Sequence, residues 1–243
     1  MVPRMSTVVA DWTRGLVDYA EAAGADVGPQ LAEIGLDRTA IGRRDGRVPG
    51  HADTWLWESV NALLEDPDLG LHFCERFVEP GHLGVLGWLA RSAANVGEAL
   101  DLARRFRRLV TNGTDVEMAA TPGAFTVIET PPPQRGRAQV WPRVVAEAVI
   151  ANYLVLARGW TGVEVRPIEV RFQHAAPPDR REHDRVFGCP VRFDQRDNAL
   201  VMPAEALEIR LTGAESGLRA YLEQSAPAQL ATMPHAWRGA RSC

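Results

Sequence analysis

Lysine is missing altogether, so all 27 basic residues are arginine. Such usage follows nucleotide composition as readily as chemistry and assigns no function. Charge of one sign is not in excess either: the formal net charge is -4. No global field therefore draws the chain to phosphate backbones or anionic lipid. Cysteine is scarce. Cys74, Cys189 and Cys243 are an odd number without C-x-x-C spacing, which argues against a disulfide framework and a thiolate metal site. A reducing cytoplasm is the expected compartment. Residues 1–13 lack the apolar core of a secretory signal, and no apolar run reaches the ~20 residues needed to span a bilayer. The nearest approach, Val140 to Leu156, is interrupted by Arg143, Glu147 and Asn152 and reads as a buried helix. Catalytic signatures are lacking as well. The six histidines form no H-E-x-x-H pair, no Gly-x-Ser-x-Gly elbow exists, and no carboxylate pair stands out. No catalytic residue, metal site or cofactor is assigned.

What is present is an ordinary globular composition, 46% apolar against 24% charged over 243 residues. A chain of this length buries roughly 70% of the surface that its unfolded state exposes, enough for a real core. From the start, Trp12, Leu16, Tyr19 and Ala20 recur at helical spacing, and Gln30 to Ile34 forms a short second helix. Asp37 to Pro49 reads as a polar loop. A linker there would leave too small an N-terminal piece to fold alone, so residues 1–232 are taken as one domain and 233–243 as a disordered or truncated tail.

His51 to Leu64 is the next helix, with Trp55, Val60, Leu63 and Leu64 as anchors, and Leu69 to Phe77 follows. Gly81, Gly84 and Gly87 match neither the dinucleotide fingerprint nor a P-loop; Gly84 and Gly87 instead let a helix carrying Leu83, Leu86, Trp88 and Leu89 pack closely. Asn95 opens another helix. Its Arg104, Arg105, Arg107 and Arg108 interleave with Leu100, Ala103, Phe106 and Leu109, giving a solvated basic face and not a DNA-reading helix. Val116 to Ala120 and Ala124 to Glu129 form a hairpin through Pro122-Gly123. A turn-rich crossing at 131–137 leads to the long helix, with Pro142 in its first turn and Gly162 at its exit. Gly213 to Leu230 reads as a final helix that Pro227 kinks or ends.

The most distinctive stretch runs from Arg166 to Met202. Ile168, Val170, Phe172 and His174 alternate as in a half-buried strand, Arg180 to Phe187 forms a helix stopped by Gly188, and Pro190 to Phe193 and Asn198 to Met202 read as a hairpin. The sum is α+β, helix-rich, with a small, mainly antiparallel sheet of about five strands.

Arg171-Phe172-x-His174, Phe187-Gly188-Cys189-Pro190-Val191-x-Phe193 and Asn198-x-Leu200, together with Gly81-His82-Leu83-Gly84-x-Leu86-Gly87 and Glu98-Ala99-Leu100, resemble the N-terminal ligand-binding half of AraC/XylS-type bacterial transcription regulators. The likeness covers about residues 12–230. It implies an arabinose-binding-like domain in which a small-molecule effector biases conformation or self-association, and so DNA engagement by an attached reader. Members of the family continue into two helix-turn-helix units; nothing of that kind precedes Cys243. The implied protein senses an effector as a homodimer, or as a heterodimer with a full-length regulator, without itself binding DNA or membrane.

Aromatic walls with a few polar groups make a small-molecule pocket. Trp88, Trp141, Phe172, His174 and Arg143 are the candidate ligand-binding residues, Arg143 as a bidentate anchor for a carboxylate. Two alternatives stand beside sensing. One is a metabolite enzyme using His174, His183 and Cys189. The other is a protein-interaction module using an apolar helix face around Leu218 and Leu222.

Overall fold

The computed structural model describes residues 6–43, 46–76, 79–131 and 140–232. The tail expected at 233–243 and most of the turn-rich crossing lie outside them. The chain opens with β1 (Thr7–Val9), α1 (Ala10–Ala22), α2 (Gly28–Glu33), α3 (Arg38–Ile41) and β2 (Arg47–Pro49). Helices α4 (Gly50–Leu64), α5 (Leu69–Arg76), α6 (Gly84–Arg91) and α7 (Val96–Phe106) follow. Then come β3 (Asp115–Thr121), β4 (Ala124–Thr130), α8 (Arg143–Thr161), β5 (Glu169–Arg171), α9 (Arg181–Phe187), β6 (Val191–Arg192), β7 (Asn198–Pro203) and α10 (Ser216–Thr232). The architecture is α+β. A 5-stranded sheet runs in the order β3-β4-β7-β5-β6, antiparallel except for the β5–β6 pair, and β1 and β2 form a separate antiparallel ladder.

Local chemistry explains most boundaries. Asn95 Oδ1 accepts the backbone N–H of Glu98 at 2.9 Å, the N-cap geometry that starts α7. Gly162 and Gly188 end α8 and α9 in the left-handed region, at φ 70 and 63. Gly87 is required by proximity, since a Cβ there would stand 1.9 Å from the carbonyl oxygen of Pro80. The segment Asp37–Pro49, expected as a loop, carries both α3 and β2 because Asp37 caps Ala40 at 2.7 Å and Arg47–Pro49 finds a partner in β1.

The hairpin expected from Pro190–Phe193 and Asn198–Met202 does not form. β6 runs parallel to β5 after the α9 crossover, and β7 pairs antiparallel with the other edge of β5. A helix between two short strands sets up a parallel pair, and the turn after β6 must then cross β5 to reach β7. That turn is held by Asp194 N–H to His174 O (3.0 Å) and Gln195 N–H to Phe172 O (2.9 Å).

Helix α8 is the spine. Its buried residues pack α5 and α4 on one side and the inner sheet face, Phe125, Val127, Val170, Leu200 and Met202, on another. A second cluster gathers Leu86, Leu89, Leu102 and Phe106 of α6 and α7 around Leu156 and Trp160 at the end of α8. On α4 the buried face is Ala52, Asp53, Leu56, Trp57 and Val60; the expected anchor Leu63 is 40% exposed. Helix α10 passes through Pro227 to Thr232 without ending there.

Candidate functional site

Between the two clusters lies a cavity of about 630 Å³, within the range typical of small-molecule sites. Trp12 of α1 and Trp55 of α4 form one wall, Leu86 and Leu100 of α6 and α7 a second, and Val116 and Glu129 of the sheet a third. Trp141 with Val145, Tyr153 and Trp160 of α8 completes it. The surface is predominantly apolar and aromatic, so the few polar groups on it decide what it can hold.

Two of these are buried carboxyls. Glu129 lies on the inner face of β4, in line with Phe125 and Val127, and is 5% exposed. Tyr153 donates its hydroxyl to Glu129 Oε1 at 2.5 Å, while Oε2 has no hydrogen bond of ordinary geometry. Burial pushes this carboxyl up to about 7, against the opposing pull of Tyr153 and Thr114. Asp53 occupies the buried stripe of α4, where Thr13 donates to its Oδ1 at 2.6 Å. Desolvation raises it too, to about 7. Among the described residues neither carboxylate has a salt bridge to a basic side chain. Arg107, the arginine on the wall, donates to the backbone oxygen of Thr114 and to Asp115 at 2.9 Å.

A second buried polar group lies on another side of α8. Glu147, 0% exposed, has its Oε1 2.5 Å from His183 Nε2, 2.7 Å from Arg143 Nε and 3.6 Å from His174 Nε2. Arg143 also binds Asp68. Asp68, Glu147 and His183 bring ligand atoms within 4.8 Å of one another, but the guanidinium of Arg143 already supplies the positive charge between the two carboxylates. The arrangement is a polar knot joining Asp68, just before α5, to α8 and α9, in which Glu147 Oε2, His183 Nδ1 and His174 Nε2 have no hydrogen bond of ordinary geometry. Desolvation sets His174 below the usual histidine range, against the opposing pull of the Ala175 carbonyl and Glu147.

The five candidate ligand-binding residues do not converge. Trp141 lines the cavity. Arg143 and His174 belong to the knot around Glu147, and Phe172, 0% exposed, stacks on His174 with ring centroids 4.8 Å apart. Trp88 is 50% exposed on α6 and away from the cavity wall. Cys189 does not complete a nucleophile with His174 and His183: its thiol points at the Pro190 carbonyl, and burial raises it to about 11, the reverse of activation. Asp53 and Glu129 were legible in principle. Each is a carboxylate standing where the helical or strand period calls for an apolar side chain, at 53-56-57-60 and at 125-127-129.

Residues 24–211 match the family described as the arabinose-binding domain of AraC transcription regulator, N-term. The chain belongs to this family. The AraC-type domain is 29% identical over 228 residues to the ornithine utilization regulator of Pseudomonas aeruginosa, covering 89% of this chain and 65% of that protein. Its fold is similar to that of the transcriptional regulator CdpR from Pseudomonas aeruginosa, with a TM-score of 0.59 at 18% identity over 89% of this chain and 64% of that one. The chain thus spans under two thirds of the length of either relative. Both relatives are transcription regulators. Among the described residues no helix of this AraC-type domain is long and apolar enough to cross a membrane.

Proposed function

We propose that this AraC-type domain is the effector-sensing part of a bacterial transcription regulator, with the cavity beside α8 as the effector site. The observation that carries the reading is the cavity itself: it is large enough for a metabolite, walled by four tryptophans, and furnished with two buried carboxyls that have no salt bridge among the described residues. A stable core has no use for that combination, because buried carboxyls lacking a cation weaken it. Residues 1–232 act as one sensing unit, and Trp141 is the ligand-binding residue kept from the sequence reading.

A bound effector touches several parts of the fold at once: α1 and α4, the α6–α7 pair, the sheet and α8. Filling the space favours whichever arrangement of these elements fits the ligand, by no more than the difference in affinity between arrangements. The output is a change in self-association, or in pairing with a full-length relative, in the cytoplasm. Exposed Leu218 (37%) and Tyr221 (67%) on α10 supply apolar surface for such pairing.

Native mass spectrometry of the purified protein tests this. A retained or added small molecule at one per subunit, lost when Trp141 is changed to Ala, is the expected result. A chain that takes up nothing from a cell extract, with a thermal midpoint unmoved by a broad metabolite set, refutes it, because a ligand at ~100 times its Kd adds about 2.7 kcal/mol.

A further inference from the structure

Among the described residues the cavity wall carries three acidic side chains and one arginine. Asp53 and Glu129 are 7% and 5% exposed, carry no ion pair among the described residues, and line the cavity from different elements, α4 and β4. Glu58 adds a third acidic side chain at an exposed position on the same lining. Arg107 is committed to the Thr114 carbonyl and to Asp115.

Three of the neutral polar groups of the wall have their oxygens engaged. Asn152 Oδ1 meets His82 Nε2 at 3.1 Å, Asn112 Oδ1 accepts the backbone N–H of Thr7 at 2.6 Å, and the Tyr153 hydroxyl is held by Glu129. A polyol could meet the side chains of Ser6 and Thr54 but would lose its hydration against tryptophan and leucine elsewhere, at a cost of the order of 1–3 kcal/mol for each group left unmatched. An anionic ligand would lie against two carboxylates in a low-dielectric space. The one guanidinium on the wall, Arg107, pulls on Glu129 only from its place on Thr114 and Asp115, so among the described residues neither buried carboxyl has a cation bonded to it.

We propose that the effector is an organic cation, an amine or quaternary-ammonium head on an apolar or aromatic body, whose head lies between Glu129 and Asp53 and whose body packs on the tryptophans. This deepens the sensor reading above and rests on it. The head would give Glu129 Oε2 the partner that it lacks, through a charge-assisted interaction. Trp12, Trp55, Trp141 and Trp160 offer aromatic faces, the side chains best suited to a cation. The raised position of both carboxyls fits the same picture: each is partly ionised near neutrality, and a fixed positive charge beside it favours the ionised form.

The test uses two matched probe series against the intact chain by calorimetry: tryptamine, tryptophol and indole-3-propionate, then hexylamine, 1-hexanol and hexanoate. Within a series, size stays nearly constant and charge runs from positive to neutral to negative. In at least one series the amine should bind about tenfold or more tightly than its alcohol and acid. Glu129→Gln and Asp53→Asn should each cut that preference below about threefold while the protein stays folded, shown by an unchanged or raised thermal midpoint. An acid or alcohol that binds as tightly as its amine, and that Trp141→Ala prevents from binding, overturns the cation assignment and leaves the sensor cavity standing. An amine preference that survives in the double variant overturns it too. If all six probes fail at millimolar concentration the assignment falls, and native mass spectrometry on cell extract then decides whether the sensor reading falls with it.

Discussion

Replacing Gly70 by alanine places one methyl group where α5 meets α8. A Cβ built at Gly70 would stand 2.3 Å from the carbonyl oxygen of Val144, 2.9 Å from the amide nitrogen of Ala148 and 3.3 Å from Glu147 Cβ. The two closest atoms are helix backbone, so no side-chain rotation relieves the overlap. Helix propensity favours the change by about 1 kcal/mol. Overpacking opposes it by about 1–3 kcal/mol, and the upper end applies where the obstacle cannot move. The helices would have to part, yet Leu69, Leu71 and Phe73 of α5 are each 0% exposed and would be pulled from their packing. The net expectation is a loss of about 2 kcal/mol, or a midpoint lower by about 4–8 °C. Equilibrium urea unfolding reads it as a lower midpoint concentration with an unchanged slope. Gly81→Ala is the control, since nothing lies within 4 Å of its Cβ position. A Gly70→Ala protein as stable as the parent, or more so, refutes the close approach of these helices.

Glu147→Ala should cost about 3–5 kcal/mol, because Arg143, His183 and His174 then face one another without the shared carboxylate; a loss below about 1 kcal/mol in urea unfolding would show that the knot does not hold the helices together. The pH dependence follows from two raised carboxyls. Asp53 and Glu129 keep their protons to about 7 when folded, whereas the unfolded chain releases them near 4, so their contribution is whole below that lower value and lost as pH rises through about 7. Asp53→Asn and Glu129→Gln should therefore gain on the parent as pH rises, by on the order of 2–4 kcal/mol between about pH 4 and pH 8, and parallel stability curves would contradict this. Trp88→Ala, at an exposed position, should leave stability within about 0.5 kcal/mol and ligand uptake unchanged, whereas Trp141→Ala should abolish uptake by native mass spectrometry.

The elements were easier to read from the sequence than their neighbours. The β3–β4 hairpin, α9 with its Gly188 stop and the buried α8 all follow from local signals: alternation, a left-handed cap, and a run of small and branched apolar residues. The partner of β7 does not. Adjacent strands most often pair, but β6 joins β5 across α9, a choice fixed by long-range packing and not by the turn at Gln195–Asp197. The site was legible only in part, for a similar reason. Counting aromatics leads to Trp141 and equally to Trp88 and Phe172, because composition does not say which ring borders empty space. Periodicity carries more. A carboxylate at a buried phase of its helix or strand, as at Asp53, Glu129 and Glu147, marks a polar feature of the interior, and at Asp53 and Glu129 that feature borders the cavity.

Synthesis order gives the position of α8 a further meaning. The ribosome releases α1 through α7 before Arg143 appears, and although Trp57 and Phe73 already find Trp12, the side of α5 that carries Gly70 and Cys74 has its cover on a helix still to be made. That side of α5 must wait bare until Thr161 has left the exit tunnel, a window in which chaperones and neighbouring nascent chains compete for it. Pauses in translation just after α8 would shorten that exposure, whereas pauses just before it would lengthen it.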